Sequence, residues 1–256
     1  MGSHLGAIGL PVDQDGLISA VHEMMTKAAL VGASPDGDTR VYAYQDPSGS
    51  RSTMTTVKGA VTCYTPSFQP GTRVNVRIGH FADSDCTFER PLMVEVVEGG
   101  YEVYPMAISI EDLAVSEASY EAGAERDMEV AALAESLTVF ADEAAYRATG
   151  TPMAVRSLIP SGMFLPPGME SGDWQPTPRI LMSGEVLDSK VLRHGLTGNE
   201  FGMMLVGSHG GDYTVLVDPN DMGTAASPER TPLPIGSIVS GTFWLSGRLV
   251  SDSGRA

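Results

Sequence analysis

The chain has 256 residues, 42% of them hydrophobic, and sets 16 basic side chains against 32 acidic ones for a net charge of −16. That apolar content excludes wholesale disorder and is enough for one large core or two small ones, and no apolar run approaches the ~20 residues that span a bilayer. No cation cluster exists to displace phosphate counterions, which argues against general nucleic-acid binding.

The N-terminus carries no basic segment followed by an apolar one, so no secretory signal is visible. Residues 5–12 read as the start of a strand. Residues 12–28 have helical spacing, with Asp13 or Asp15 placed to cap the first turn and Leu17, Ile18, Val21, Met24, Met25 and Ala28 on one stripe. A loop is expected at 32–38. Strands are expected at 40–45, 52–57, 60–64, 72–81, 91–97 and 101–110, separated by the turn signals Asp46-Pro47-Ser48-Gly49, Gln69-Pro70-Gly71 and Glu98-Gly99-Gly100. In 73–78, Val74, Val76 and Ile78 alternate with Arg73, Asn75 and Arg77, the pattern of a half-buried antiparallel strand.

Residues 114–150 are compatible with two structures. Val130, Leu133, Leu137 and Phe140 keep helical spacing among alanines. The reading favoured is a strand ending near Phe140, then a short helix capped by Asp142. Residues 160–178 hold prolines at 160, 166, 167, 176 and 178 and glycines at 162, 168 and 172, which resist regular structure and mark a connector.

Beyond it, Ile180, Met182, Gly184 and Val186 alternate along one strand, 194–199 form a loop, and 201–206 make a strand apolar on both faces. Gly210-Gly211 turns into Tyr213, Val215 and Val217, and 236–249 supply the last strand. There Val239, Phe243 and Leu245 point one way and Trp244 the other, which predicts that the N-terminal lobe covers Trp244. Short strands bent at glycines suit a small closed barrel. The expected fold class is α+β: a mostly antiparallel β N-terminal lobe with few helices (1–159), a connector (160–178), a small OB-like β barrel (179–249) and a frayed tail (250–256). No internal repeat at a solenoid or propeller period is evident.

Catalytic and metal constellations each lack a member. His22-Glu23 begins a zinc-protease pattern, but Thr26 stands where the second histidine belongs. Asp83-Ser84-Asp85-Cys86 lacks the later ligands of a calcium loop and reads as a solvated turn. Neither phosphate-binding glycine motif is present. No metal or cofactor is therefore expected. Ser208, His209 and Asp212 sit in one hairpin turn whose side chains diverge, and Ser161 lacks a nucleophile elbow. Arg248 could grip an anion through its fork, but an ion pair with one of the 32 acids is the expected use. Ser161, His209, Asp212 and Arg248 are the only catalytic candidates these considerations leave. Phe201, Tyr213, Phe243 and Trp244 have almost no cations beside them, so they read as core rather than as base-stacking platforms.

Cys63 and Cys86 are too few for a disulfide framework and form no Cys-x-x-Cys pair. They are expected reduced and buried, in a soluble cytoplasmic protein. Only Lys27, Lys58 and Lys190 are lysines, and the arginine excess fits a GC-rich bacterial genome.

Several segments carry a resemblance: Gly184-Glu185-Val186, Leu196-Thr197-Gly198-Asn199-Glu200-Phe201, Gly210-Gly211-Asp212-Tyr213-Thr214-Val215, and above all Gly241-Thr242-Phe243-Trp244-Leu245-Ser246-Gly247-Arg248. With Ile8-Gly9-Leu10-Pro11-Val12 and Ser157-Leu158-Ile159-Pro160-Ser161-Gly162-Met163-Phe164, the chain resembles a family of bacterial cytoplasmic proteins without an assigned activity. The resemblance implies a shared fold and nothing about chemistry.

The expected function is that of a non-catalytic binding or scaffold protein whose acidic surface suits a basic protein partner, an immunity-type protein neutralising a basic toxin being one version. The alternatives are a hydrolase-type enzyme with a site between the lobes, and single-stranded nucleic-acid binding through the barrel, which the net charge disfavours.

Overall fold

The computed structural model describes residues 4–165, 168, 174–222 and 231–250. Its first element differs from the strand expected at 5–12. Residues Gly6–Ile8 make a 3-10 turn closed by Gly9 in the left-handed region (φ 78°). A Cβ on Gly9 would lie 2.8 Å from His194 Cβ and 2.9 Å from the Phe201 ring. The apolar residues Ala7, Ile8 and Leu10 are all buried as a plug instead of alternating between two faces.

Helix α1 (Gln14–Lys27) follows, with the Asp13 carboxylate accepting the Gly16 N–H at 2.8 Å as its N-cap. It buries Ala20 and Met24, whereas Ile18, expected on the same stripe, is 58% exposed. The packed face is thus narrower than the apolar stripe. Where a loop was expected to begin, β1 (Ala29–Ala33) pairs with β2 (Thr39–Gln45) through a bulge between Leu30 and Gly32. β1 is an edge strand with neither face buried, so its sequence carries no alternation. Strands β3 (Ser50–Val57) and β4 (Ala60–Phe68) complete an antiparallel four-stranded sheet in the order β1-β2-β3-β4.

The second sheet has nine strands: β5 (Thr72–Phe81), β6 (Leu92–Glu98), β7 (Tyr101–Ile110), β8 (Glu125–Phe140), β9 (Leu158–Ile159), β10 (Arg179–Arg193), β11 (Glu200–Ser208), β12 (Gly211–Val217) and β13 (Ile238–Leu249). Short helices α2 (Leu113–Ser116) and α3 (Glu143–Arg147) flank β8. The Asp142 carboxylate caps α3 by accepting the Ala145 N–H at 2.8 Å, as its sequence suggested. The fold is α+β, dominated by strands with few helices.

β8 and β13 pair antiparallel from Phe140↔Ile238 to Met128↔Leu249. On its other edge β8 meets first β5 and then, in parallel, β12; β13 likewise meets β10 and then, in parallel, β7. Two closed pairing circuits result, β8-β5-β6-β7-β13 and β13-β10-β11-β12-β8, sharing the β8–β13 pair. They match strand for strand. Each is a three-strand antiparallel meander whose last strand runs parallel to the fourth strand of the other half. The sequence shows no repeat, because such a match requires only apolar alternation and turns. Strands from both sides of 160–178 therefore enter one sheet.

The close β8–β13 approach explains the glycines of the last strand. A Cβ on Gly241 would come 2.0 Å from the Ser136 carbonyl oxygen, and one on Gly247 would come 2.8 Å from that of Glu129. β8 is buried on both faces: Met128, Val130, Ala132 and Ala134 enter the large core inside the nine-stranded sheet. Ala131 and Leu133 enter a second core shared with α1, Tyr44, Met54, Phe68 and Phe201. Burial on both sides erases period-two alternation, which is why this segment could also be read as helix. Trp244 is half-buried, its ring tilted 42° against that of His4 at a centroid distance of 5.2 Å and lying 5.2 Å from the Arg179 guanidinium.

Candidate functional site

The turns of the four-stranded sheet approach the outer face of β10 and β11, and a cleft of about 600 Å³ lies between them. One wall is built from Gln45, Asp46, Pro47, Ser48, Phe68, Gln69 and Pro70. The other carries Asp188, Lys190 and Leu192 from β10, Met203 and Leu205 from β11, and Thr214 from β12. Strand period two places these residues outward: Met203 and Leu205 are half-buried, while their neighbours Met204 and Val206 are fully buried. That second set gives the apolar look on both faces noted in the sequence.

Asp46 anchors the cleft. It is 1% exposed. Its carboxylate accepts the Ser48 N–H (2.9 Å) and hydroxyl (2.6 Å), the Tyr44 hydroxyl (3.1 Å), and the Gly195 N–H, which lies 3.0 Å from both oxygens. Burial opposes its charge, but the hydrogen bonds from Ser48 and Gly195 and the nearby His194 hold the carboxyl below the usual carboxylate range. An acceptor so fully engaged is a brace rather than a free base.

His194 is completely buried behind it. Its Nδ1 accepts the Leu196 and Thr197 N–H groups, both at 3.3 Å, so the neutral ring carries its proton on Nε2. That Nε2 is buried without a hydrogen-bond partner. Burial pushes the imidazole below its ordinary value, against the pull of Asp46, whose Oδ2 lies 3.6 Å from Nδ1. The ring acts as a bolt for the 194–199 loop.

A second buried charge joins the two sheets. Glu111, just after β7, accepts the Arg51 Nε at 2.9 and 3.0 Å and the Ser67 hydroxyl at 2.7 Å. Arg248 approaches it at 3.3 Å and donates to Glu129 at 2.8 Å, while the Gln69 amide donates to the same Glu129 oxygen at 2.9 Å. Burial pushes the Glu111 carboxyl up, with Arg51 pulling it back.

The residues singled out from the sequence lie at three places. Ser161 opens a 3-10 turn at Ser161–Met163, packed where Gly162 meets the Thr177 carbonyl. His209 and Asp212 are exposed in the β11–β12 turn, where Ser208 closes the hairpin onto Gly211. Arg248 sits in the Glu111–Glu129 ion-pair cluster. Among the described residues, no hydrogen bond or ion pair joins any two of the four. Phe201, Tyr213 and Phe243 are fully buried core.

The residues that shape the cleft, Asp46 and His194 among them, read in sequence only as turn and loop. One available signal was the Asp-Pro-Ser-Gly pattern, since an aspartate two residues before a serine makes an Asx turn. Among the described residues no three His, Cys, Asp or Glu side chains gather to hold a metal ion, and no helix is long and apolar enough to cross a membrane. No protein-family profile, curated protein or solved structure matches the chain.

Proposed function

We propose that this is a non-catalytic binding or scaffold protein of the bacterial cytoplasm that recruits a basic protein partner through its acidic surface, with the cleft between the two sheets as the contact. The observation that carries this reading is the cleft itself. Its walls combine apolar Phe68, Leu192, Met203 and Leu205 with Gln45, Gln69 and the ion-paired Asp188 and Lys190, the mix of a binding surface. Its one deeply buried acid, Asp46, is committed to bracing. A net charge of −16 favours cationic partners by complementarity.

We also infer that residues 179–249, strands β10 to β13, form an OB-like barrel that closes only through β8 of the preceding segment and serves as a rigid wall. Its order supports this: a three-strand meander whose third strand runs parallel to β8. In the test, the full chain is immobilised and challenged with lysate of the source cell at stepped salt, beside a Leu205→Glu variant. The expected outcome is one partner, retained at low salt, eluted at high salt and lost by the variant. Equal capture by both proteins, or capture of single-stranded oligonucleotides instead, overturns the reading.

A further inference from the structure

The chain's two cysteines are linked through one residue, Glu89. Cys63 lies on β4, the last strand of the four-stranded sheet, opposite Thr55, and is 7% exposed. Its Sγ donates to Glu89 Oε1 at 3.4 Å. Glu89 in turn closes a tight turn by donating its N–H to the Cys86 carbonyl at 3.1 Å. Cys86 is half-buried in the irregular segment between β5 and β6, so the residue whose carboxylate receives the Cys63 thiol is hydrogen-bonded through its own backbone to Cys86.

We propose that Cys63 and Cys86 are a paired oxidation site that closes to a disulfide in response to a hydroperoxide. The more accessible Cys86 sulfur attacks the peroxide. The O–O bond breaks, an alcohol or water leaves, and Cys86 becomes a sulfenic acid. Cys63 then attacks the Cys86 sulfur, Glu89 takes the thiol proton, and the sulfenic oxygen leaves as water. Two thiols and one hydroperoxide thus give one disulfide, one water and one alcohol. The order of events follows from access: Cys63 is 7% exposed and Cys86 half-buried, so a hydroperoxide arriving from solvent meets Cys86 first, and burial pushes the Cys63 thiol up, which keeps it protonated until Glu89 takes its proton. A disulfide needs Cα atoms ~4.4–6.8 Å apart, and the segment carrying Cys86 has no regular structure to resist that approach. Closure would tie this segment to the edge strand β4.

The full-length protein is treated with hydrogen peroxide, blocked with a thiol alkylator after denaturation, and weighed without reductant. The expected product is a monomer lighter by two hydrogens, with both alkylation sites lost and both regained after reduction. In Cys63→Ser the reaction should stop at a Cys86 sulfenic acid that dimedone traps; in Glu89→Gln closure should slow roughly ten-fold or more. Cys86-linked dimers, or Cys86 oxidised past sulfenic acid while Cys63 remains alkylatable, overturn the proposal. Closure at an unchanged rate in Glu89→Gln overturns the role of Glu89.

Discussion

Asp46 and Gly195 are 149 residues apart, yet the Gly195 N–H lies 3.0 Å from both carboxylate oxygens of Asp46. This clasp joins the β2–β3 turn to the β10–β11 loop and sets the width of the cleft. Asp46→Ala leaves the N–H groups of Gly195 and Ser48 without their acceptor, at an expected cost of about 2–4 kcal/mol in urea unfolding at neutral pH. The wild-type carboxyl is depressed when folded, so its contribution is present above the unfolded value of ~3.9 and is lost as pH falls below it. The variant should lack that loss.

His194 supplies a second acid-sensitive step at higher pH. Its folded value lies below the unfolded ~6.5, so the unfolded chain binds the extra proton first. Stability should therefore decline as pH falls below about 6.5. Urea midpoints measured between neutral pH and pH ~5 check this; in His194→Gln the slope over that window should flatten, and a slope equal to wild type would assign it elsewhere.

Glu111 holds Arg51 and Arg248 across the junction of the two sheets. Removing one member of a buried ion pair strands the other, so Glu111→Ala should cost about 3–5 kcal/mol. Arg248 keeps Glu129, but Arg51 keeps no other carboxylate partner among the described residues. Replacing Arg51 as well, by methionine, should recover part of the loss in a double-mutant cycle.

Arg179 links Trp244 to Glu135. It stacks on the indole and donates to both Glu135 oxygens at 2.7 and 2.9 Å. Burial opposes the Glu135 charge, but His4 and Arg179 together hold the carboxyl at about 2. Arg179→Met should raise that value, measured by carbon-detected NMR titration. It should also red-shift Trp244 emission in a Trp174→Phe background. Since the pair is partly solvent-exposed, the stability loss should be only about 1 kcal/mol.

Gly241→Ala tests the shared β8–β13 pair. A methyl group there meets a backbone carbonyl, Ser136 O, which has no rotamer to yield. The expected loss is about 3 kcal/mol or more, read as a lowered urea midpoint; a midpoint within error of wild type would contradict the close approach.

Local chemistry made much of the fold readable. β5 and β7 match their sequence boundaries residue for residue, because each has turns at its ends, and β5 also has one alternating face. Asp13 and Asp142 cap their helices because a carboxylate before a helical run can reach its free N–H groups. The exposed edge strand β1 and the plug at Gly6–Ile8 were not legible, since neither has two unequal faces. The candidate site was less readable still. Asp46, His194 and Leu205 lie in three separate segments, and no spacing rule relates them.

From the residues alone came the α+β class, the strand-rich pattern, the buried aromatics and the ion-pair use of Arg248. Each depends on polarity and spacing within a few residues. Tertiary structure alone decided that β8 and β13 pair, that each closes the other's circuit, and which polar groups are sealed inside. Strand partners are chosen by hydrogen bonds and packing between segments roughly a hundred residues apart, and two-sided burial removes the alternation that would have announced them.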